Sequence, residues 1–246
     1  EDVRLLLNEC DLRYRCLVAL LAFSGFRQSD AITLQYQHIR ASYEAGDVVL
    51  TIIKRQEKSH EWFFTFLGPQ GTSYVREFLE LRRRRGEVIT DRTYIVSKTG
   101  RPMKLPTAKE QLQHLIATTV GRHPTNEPFR KFTPHALRKY FRRTVSVLGE
   151  SVAEFLMGHS AGIVSLTATY AGLRDLDAQA IASLKAQYVK LLPELETEMT
   201  DLSVKARIQQ LEEREAEFRK LQEEQAAMQE EMRRISEVLD KYGKKE

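Results

Sequence analysis

Only two of the 246 residues are cysteine. Cys10 and Cys16 lie on one predicted helix, at a spacing that suits neither a disulfide framework nor a zinc site and fits a reducing setting. The six histidines are not spaced as zinc ligands either. No apolar run approaches the roughly 20 residues that cross a bilayer. The longest, Cys16 to Gly25, reads as a buried core helix. No basic-then-apolar leader is present, so the expected location is intracellular and cytoplasmic, away from membranes. A Walker-type phosphate loop and a GxGxxG turn are both missing, which leaves nucleotide hydrolysis and dinucleotide chemistry without support. Twelve glycines and seven prolines are too few for a linker or a collagen.

What is present is a core-forming chain with 42% hydrophobic and 29% charged residues. It opens on Glu1 rather than Met and enters mid-pattern, which implies a piece of something longer. The net charge of +4 is unevenly divided. From Glu194 onward there are 10 Lys/Arg against 15 Asp/Glu, while the first 193 residues hold 28 against 19. A basic globular part joined to an acidic tail points to a polyanion for the first and a protein partner for the second.

Two parts follow from the pattern, 1–193 and 194–246. In the first, Asp11 to Phe23 carries apolar residues at helical spacing. Val48 to Ile53 and Glu61 to Leu67 read as strands around a polar hairpin loop, with Tyr94 to Ser97 as a candidate third. Helices are expected over Thr72–Arg85 and Thr107–Val120, from Thr133-Pro134 to about Gly149, over Ser151–Met157, near Val164–Gly172, and over Asp175–Leu192. The expected fold is mainly α with a small antiparallel sheet. In the second part, no Gly or Pro occurs between Pro193 and Tyr242. Apolar residues recur in steps of three and four from Val204 to Tyr242, with Glu215 and Gln225 filling seam positions and a stammer at Phe218. This predicts a helix of about 70 Å with a coiled-coil seam that needs a partner helix.

The candidate chemistry lies in a few scattered side chains. Arg27 follows a turn after the apolar helix. His135 and Arg138 share a helix face. His159 sits in a Gly-His turn, and Tyr170 follows eleven residues later. Lys54 ends the first strand and Lys58 lies in the loop after it. The run Arg82–Arg85 and the cluster Arg130, Lys131, Lys139, Arg142 and Arg143 can neutralise phosphates.

The order of these residues resembles the tyrosine recombinase family, also called phage-type integrases. Gly25-Phe26-Arg27-Gln28-Ser29-Asp30 is similar to the family's arginine box, Thr133-Pro134-His135-Ala136-Leu137-Arg138 to its H-x-L-R box, and Leu156-Met157-Gly158-His159-Ser160 to its L-x-G-H-S box. The resemblance covers roughly Asp11 to Leu184, and the wording around His135 and Trp62-Phe63-Phe64 is most similar to archaeal members. The interval from His159 to Tyr170 is longer than in many members, and the family's N-terminal core-binding domain has no counterpart here.

The resemblance implies DNA strand transfer without metal or cofactor. Tyr170 would attack a phosphodiester to form a 3′-phosphotyrosyl link. Arg27 and Arg138 would clamp the non-bridging oxygens, and His159 would add a hydrogen bond. His135 would position the site or accept the phenol proton, with Asp30 supporting Arg27 or its helix. Lys54 is the preferred acid for the leaving oxygen, with Lys58 as the alternative. The implied partners are double-stranded DNA and further copies of the chain, as a dimer or tetramer. They would meet through the Asp175–Leu192 segment and the coiled coil. A type IB-like DNA-relaxing enzyme and a non-catalytic DNA-binding coiled-coil dimer are the competing readings.

Overall fold

Eight consecutive residues, Cys16 to Phe23, are buried, so the helix that carries them is surrounded on every side. This helix, α2 (Leu12–Phe23), starts where the Asp11 carboxylate accepts the Tyr14 N–H at 2.9 Å. The sequence pattern suggests one apolar face, but Leu17, Val18 and Leu21 are buried as well. The computed structural model describes residues 1–60, 62–98, 100–121, 133–159 and 178–243. The expected short helix near Val164–Gly172 lies outside these residues.

Around α2 pack α1 (Asp2–Glu9), α5 (Pro69–Arg84) and α7 (Pro134–Val145). Between α2 and α5 come the short helices α3 (Gln28–Ile32) and α4 (Arg40–Glu44), then an antiparallel hairpin of β1 (Leu50–Arg55) and β2 (Trp62–Leu67). The register runs from Leu50 opposite Leu67 to Arg55 opposite Trp62. Leu50, Ile52 and Lys54 face inward, as period-two alternation requires. The first strand therefore starts two residues later than its β-branched run and takes in Lys54 and Arg55. After α5 come α6 (Leu105–Thr119) and α7, then a 3₁₀ turn over Ser146–Leu148 and α8 (Glu150–Leu156). The helix expected to reach Gly149 stops at Val145, because the chain tightens into that turn before Gly149, where φ is +103°. The last described elements are α9 (Ala178–Lys190), α10 (Leu192–Leu195) and α11 (Asp201–Gly243). The result is a mainly α-helical fold with one small antiparallel sheet.

No third strand forms over Tyr94–Ser97. One bridge joins Tyr94 to Gln35. The carbonyls of Tyr94 and Ile95 are taken instead by the buried Arg82 guanidinium, at 2.7 and 3.3 Å, and Arg82 also pairs with Glu87. Arg82 is thus a staple between α5 and the following loop rather than a phosphate contact.

The long helix begins at Asp201, seven residues after Glu194. Residues 196–200 are held against the body by buried polar contacts. Gln70 accepts the Thr197 and Glu198 N–H groups at 2.8 and 3.2 Å, and the Tyr74 hydroxyl donates to Glu198 at 2.9 Å. The Tyr188 hydroxyl accepts the Gly68 N–H at 3.0 Å and donates to the Phe23 carbonyl at 2.8 Å. A side chain at Gly68 would overlap Glu196 and Leu192. Thr200 and Ser203 then cap α11 reciprocally, each side chain accepting the other's N–H. Beyond this start, α11 extends for 43 residues, about 65 Å. Ser203 and Ala206 face the body, and the apolar seam from Val204 to Met232 stays exposed. No helix among the described residues is long and apolar enough to cross a membrane.

Glu196 caps the start of α5 from a distance of 126 positions, its Oε1 accepting the Gln70 N–H at 2.7 Å. Its Oε2 is buried without a partner. Burial pushes its carboxyl up to about 8, against the backbone N–H bonds that favour the ionised form. Below its ordinary value of 4.5 the group is protonated whether folded or not, and no penalty applies. Between there and about 8 the unfolded chain releases a proton that the folded chain keeps, so stability falls across that window as pH rises. Glu196→Gln keeps the acceptor and removes the titration. Its thermal melting point should match the parent near pH 4.5 and exceed it increasingly toward pH 8.5.

Candidate active site

The turn before α3 shapes one wall of a cleft. Phe26 is fully buried and Gly25 takes φ +67°, a backbone conformation that disfavours any side chain. A Cβ at Gly25 would also overlap the Phe141 ring from α7. This close approach lets the Gly25 carbonyl point at α7, where it accepts a hydrogen bond from Arg138 Nη1. Arg27 follows at the N-cap of α3, with its guanidinium half-buried at a fixed helix start.

Arg138 is anchored between the buried Leu137 and Phe141 and is itself only 6% exposed. Its Nη2 donates to the Met157 carbonyl at 2.8 Å and lies 3.1 Å from His159 Nε2. Burial, and after it the positive charge of Arg27, brings its pKa down to about 10. Asp30 and Glu154 act in the opposite sense. Two guanidinium groups close enough to oppose each other's charge form a ready seat for an anion.

His159 follows Gly158, which takes φ +67°. Its Nδ1 bonds the Glu154 carboxylate, which assigns the proton to Nδ1 and leaves Nε2 to accept from Arg138. Burial pushes the Glu154 carboxyl up, but its bonds and charges with His159 and Arg142 outweigh this and hold it below the usual carboxylate range. Arg142 also pairs with Glu150.

Arg27, His135, Arg138 and His159 line one cleft of about 390 Å³, together with Gln28, Lys139 and Arg142. His135 and Lys139 are exposed at its rim. Four of the six predicted site residues therefore meet. Lys54 does not line the cleft. It is 2% exposed on the inner face of the hairpin, with Nζ donating to Glu57 at 2.7 Å and to the Arg55 carbonyl at 2.9 Å. His38, next to it, is lowered to about 4 by burial and then by the charge of Lys54. Lys58 is exposed in the loop. Tyr170, Arg130 and Lys131 lie outside the described residues.

Two side chains connect the hairpin loop to the cleft. Asp30, expected to support Arg27 or cap its helix, instead accepts the Glu57 N–H at 2.7 Å. Gln56, absent from the sequence-level candidates, is buried. Its Oε1 accepts from Arg27 Nη1, and its Nε2 donates to the Gly158 carbonyl at 2.5 Å. One amide thus holds both the first arginine and the turn that carries His159. A glutamine in a polar loop has no pattern that announces such a role; its burial does.

A family model described as the phage integrase family matches residues 1–175. The chain belongs to the phage integrase family, the tyrosine recombinases that its three boxes resemble. Among solved structures it is similar to XerA recombinase, with 18% identity over 76% of this chain and 62% of that one and a TM-score of 0.50. It is also similar to XerH site-specific recombinase bound to difH substrate in a pre-cleavage complex, at 17% identity, 75% and 50% coverage and a TM-score of 0.49. The Tn1549 transposon integrase in complex with transposon right-end DNA gives 15%, 75% and 62%, and 0.48. The chain thus spans about 62% of the length of the XerA recombinase chain. No curated protein matches it by sequence.

Gly25→Ala places a side chain at positive φ and drives it into Phe141. It should lower stability by about 2–4 kcal/mol in a denaturant titration. Because the Gly25 carbonyl is also a partner of Arg138, the variant should lose anion binding at the cleft at temperatures where it remains folded.

Proposed function

We propose that this chain is the catalytic domain of a site-specific DNA recombinase or integrase, which cuts and rejoins DNA through a 3′-phosphotyrosyl intermediate. The observation that carries the reading is the convergence of Arg27, His135, Arg138 and His159, from three separate stretches of sequence, on one cleft. Family membership supplies the reaction class. Related structures are named with difH substrate and with transposon right end DNA, and double-stranded DNA is the matching substrate for the basic first 193 residues.

In this reading the scissile phosphate occupies the cleft. The Tyr170 oxygen forms a bond to phosphorus as the bond to the 5′ oxygen breaks, and the phenol proton passes to His135. Negative charge that develops on the non-bridging oxygens is met by the two guanidinium groups, which relieves their mutual opposition. These arginines supply the positive charge that a metal ion provides in other phosphoryl-transfer sites. Arg138 keeps its backbone acceptors and turns its remaining N–H capacity to phosphate. His159 gives up its bond to Arg138, takes a proton from solvent on Nε2 and makes that N–H a hydrogen-bond donor to the phosphate, with Glu154 steadying the imidazolium. Lys54 donates a proton to the leaving 5′ oxygen. For this it must exchange Glu57 for DNA, so the hairpin loop moves as the duplex arrives. The reverse steps, with a 5′ hydroxyl from a second strand, complete the exchange. The chain assembles on DNA with further copies of itself, and the C-terminal helix provides one of the contacts.

A suicide duplex, nicked close to its cleavage point, tests the central step. The parent chain should give a covalent protein–DNA adduct and Tyr170→Phe none. If both give the same gel pattern with no adduct, the catalytic reading is wrong. The acid is tested separately with a 5′-bridging phosphorothiolate, whose sulfur leaves without a proton. This substrate should restore cleavage to Lys54→Ala; restoration of Lys58→Ala alone moves the assignment to Lys58.

A further inference from the structure

Between Val204 and Met232 the seam of α11 has a symmetry that fixes how it pairs. Read outward from Phe218, the seam positions fall at Glu215, Leu211, Ile208 and Val204 in one direction and at Leu221, Gln225, Met228 and Met232 in the other. The steps are three, four, three and four both ways. The stammer at Phe218 is therefore a mirror point as well as a defect. The apolar members of this set are between 38% and 66% exposed, and the body packs on a different face, through Ser203 and Ala206 and through polar contacts of Arg207, Gln210 and Glu213. The seam is thus open to an outside helix.

We propose that α11 pairs antiparallel with α11 of a second copy of this chain, about a two-fold axis at Phe218. This deepens the assembly reading above and rests on it for the identity of the partner. The layers are then Val204 with Met232, Ile208 with Met228, Leu211 with Gln225, Glu215 with Leu221, and Phe218 with itself. Each polar seam residue meets an apolar one, so no layer holds two polar groups. A parallel pair does the opposite: it sets two Glu215 carboxylates in one layer and two Gln225 amides in another, and like charges side by side in a seam oppose pairing.

The flanks agree with the antiparallel order. Arg207, Arg214, Glu224 and Glu231 each precede a seam position by one residue and so occupy the same flank. In the antiparallel arrangement Arg214 comes beside Glu224 of the second copy, one pair of opposite sign on each side of the axis, while Arg207 is held by Glu194 of its own body at 2.9 Å. The other flank sets Lys205 level with Gln229 and Glu212 with Gln222, which brings no like charges together. A parallel pair gains Arg207 against Glu212 but sets Arg214 against Arg219. Complementarity of charge and seam therefore selects one orientation. At 1.5 Å per residue, Val204 and Met232 are about 42 Å apart along the rod, so the two catalytic bodies sit at opposite ends of it.

Disulfide trapping in the full-length chain reads the orientation directly. Cys10 and Cys16 stay silent, because both are buried and burial pushes their thiols up, Cys10 to about 12 and Cys16 further. Ile208→Cys and Met228→Cys are purified separately, mixed, and oxidised. The mixture should give a cross-linked dimer on a non-reducing gel, and neither variant alone should. Efficient cross-linking of Ile208→Cys by itself overturns the antiparallel arrangement. Sedimentation provides the second readout. The parent chain should be a dimer without DNA and the Leu211→Asp/Leu221→Asp variant a monomer, whereas a monomeric parent overturns the pairing altogether. The suicide-duplex adduct keeps this apart from the catalytic reading. A monomeric variant that still forms the adduct leaves the chemistry intact, and a cross-linked dimer that forms none leaves the pairing intact.

Discussion

A guanidinium removed from water costs several kcal/mol unless its N–H groups find acceptors, and Arg138 is buried beside a second cation. Its acceptors come from the turn ahead of Arg27, from the end of α8 and from the ring of His159. They lie on two separate stretches, the Gly25 turn and the Met157–His159 turn, so meeting the needs of one side chain draws both to the helix that carries Arg138. Displacing any of them leaves a buried charge short of a partner. The cleft walls follow from that requirement. Gly25 has no side chain because Phe141 occupies the space one would fill, and Gly158 bends the chain so that Met157 presents its carbonyl and His159 its ring.

The hairpin is joined to this centre by charge-assisted links. Gln56 spans Arg27 and the Gly158 carbonyl, and Asp30 holds the loop at Glu57. The same loop engages Lys54 through Glu57 and the Arg55 carbonyl. Hydrogen bonds to charged groups contribute about 1.5–3 kcal/mol each, and Gln56 and Lys54 make theirs while buried. The arrangement thus joins a rigid arginine centre to the hairpin loop through Gln56 and Asp30.

Much of the core and part of the cleft could be read in the residues alone. Buried apolar helices announce themselves by composition, and Pro134 marks the start of the helix bearing His135 and Arg138. The boxes around Arg27, Arg138 and His159 are short because their geometry is local: a glycine turn, one helical turn, a glycine turn. What escaped depends on contacts between positions far apart in sequence. Gln56 matters because it is buried against a carbonyl 102 positions away. Arg82 looks like one of four equivalent basic residues until Glu87 and two loop carbonyls enclose it. The start of α11 is hidden because Glu196 to Thr200 has helix-compatible composition, while the pull of Gln70 and the α5 terminus draws those residues out of a helix.

The anchorage of α11 has a mechanical consequence. Its first turns are clamped to the body as far as Glu213, by the buried Ser203 and Ala206, the Arg207–Glu194 pair, the bond of Gln210 to the Lys190 carbonyl and the Lys190–Glu213 pair, and the remainder projects over some tens of ångströms. Such an arm converts angle into travel: a tilt of one degree at the clamp sweeps the far tip by about 1 Å for a helix of this length. Small adjustments where the Glu196 segment meets α5 are thereby geared up into large displacements at the remote end.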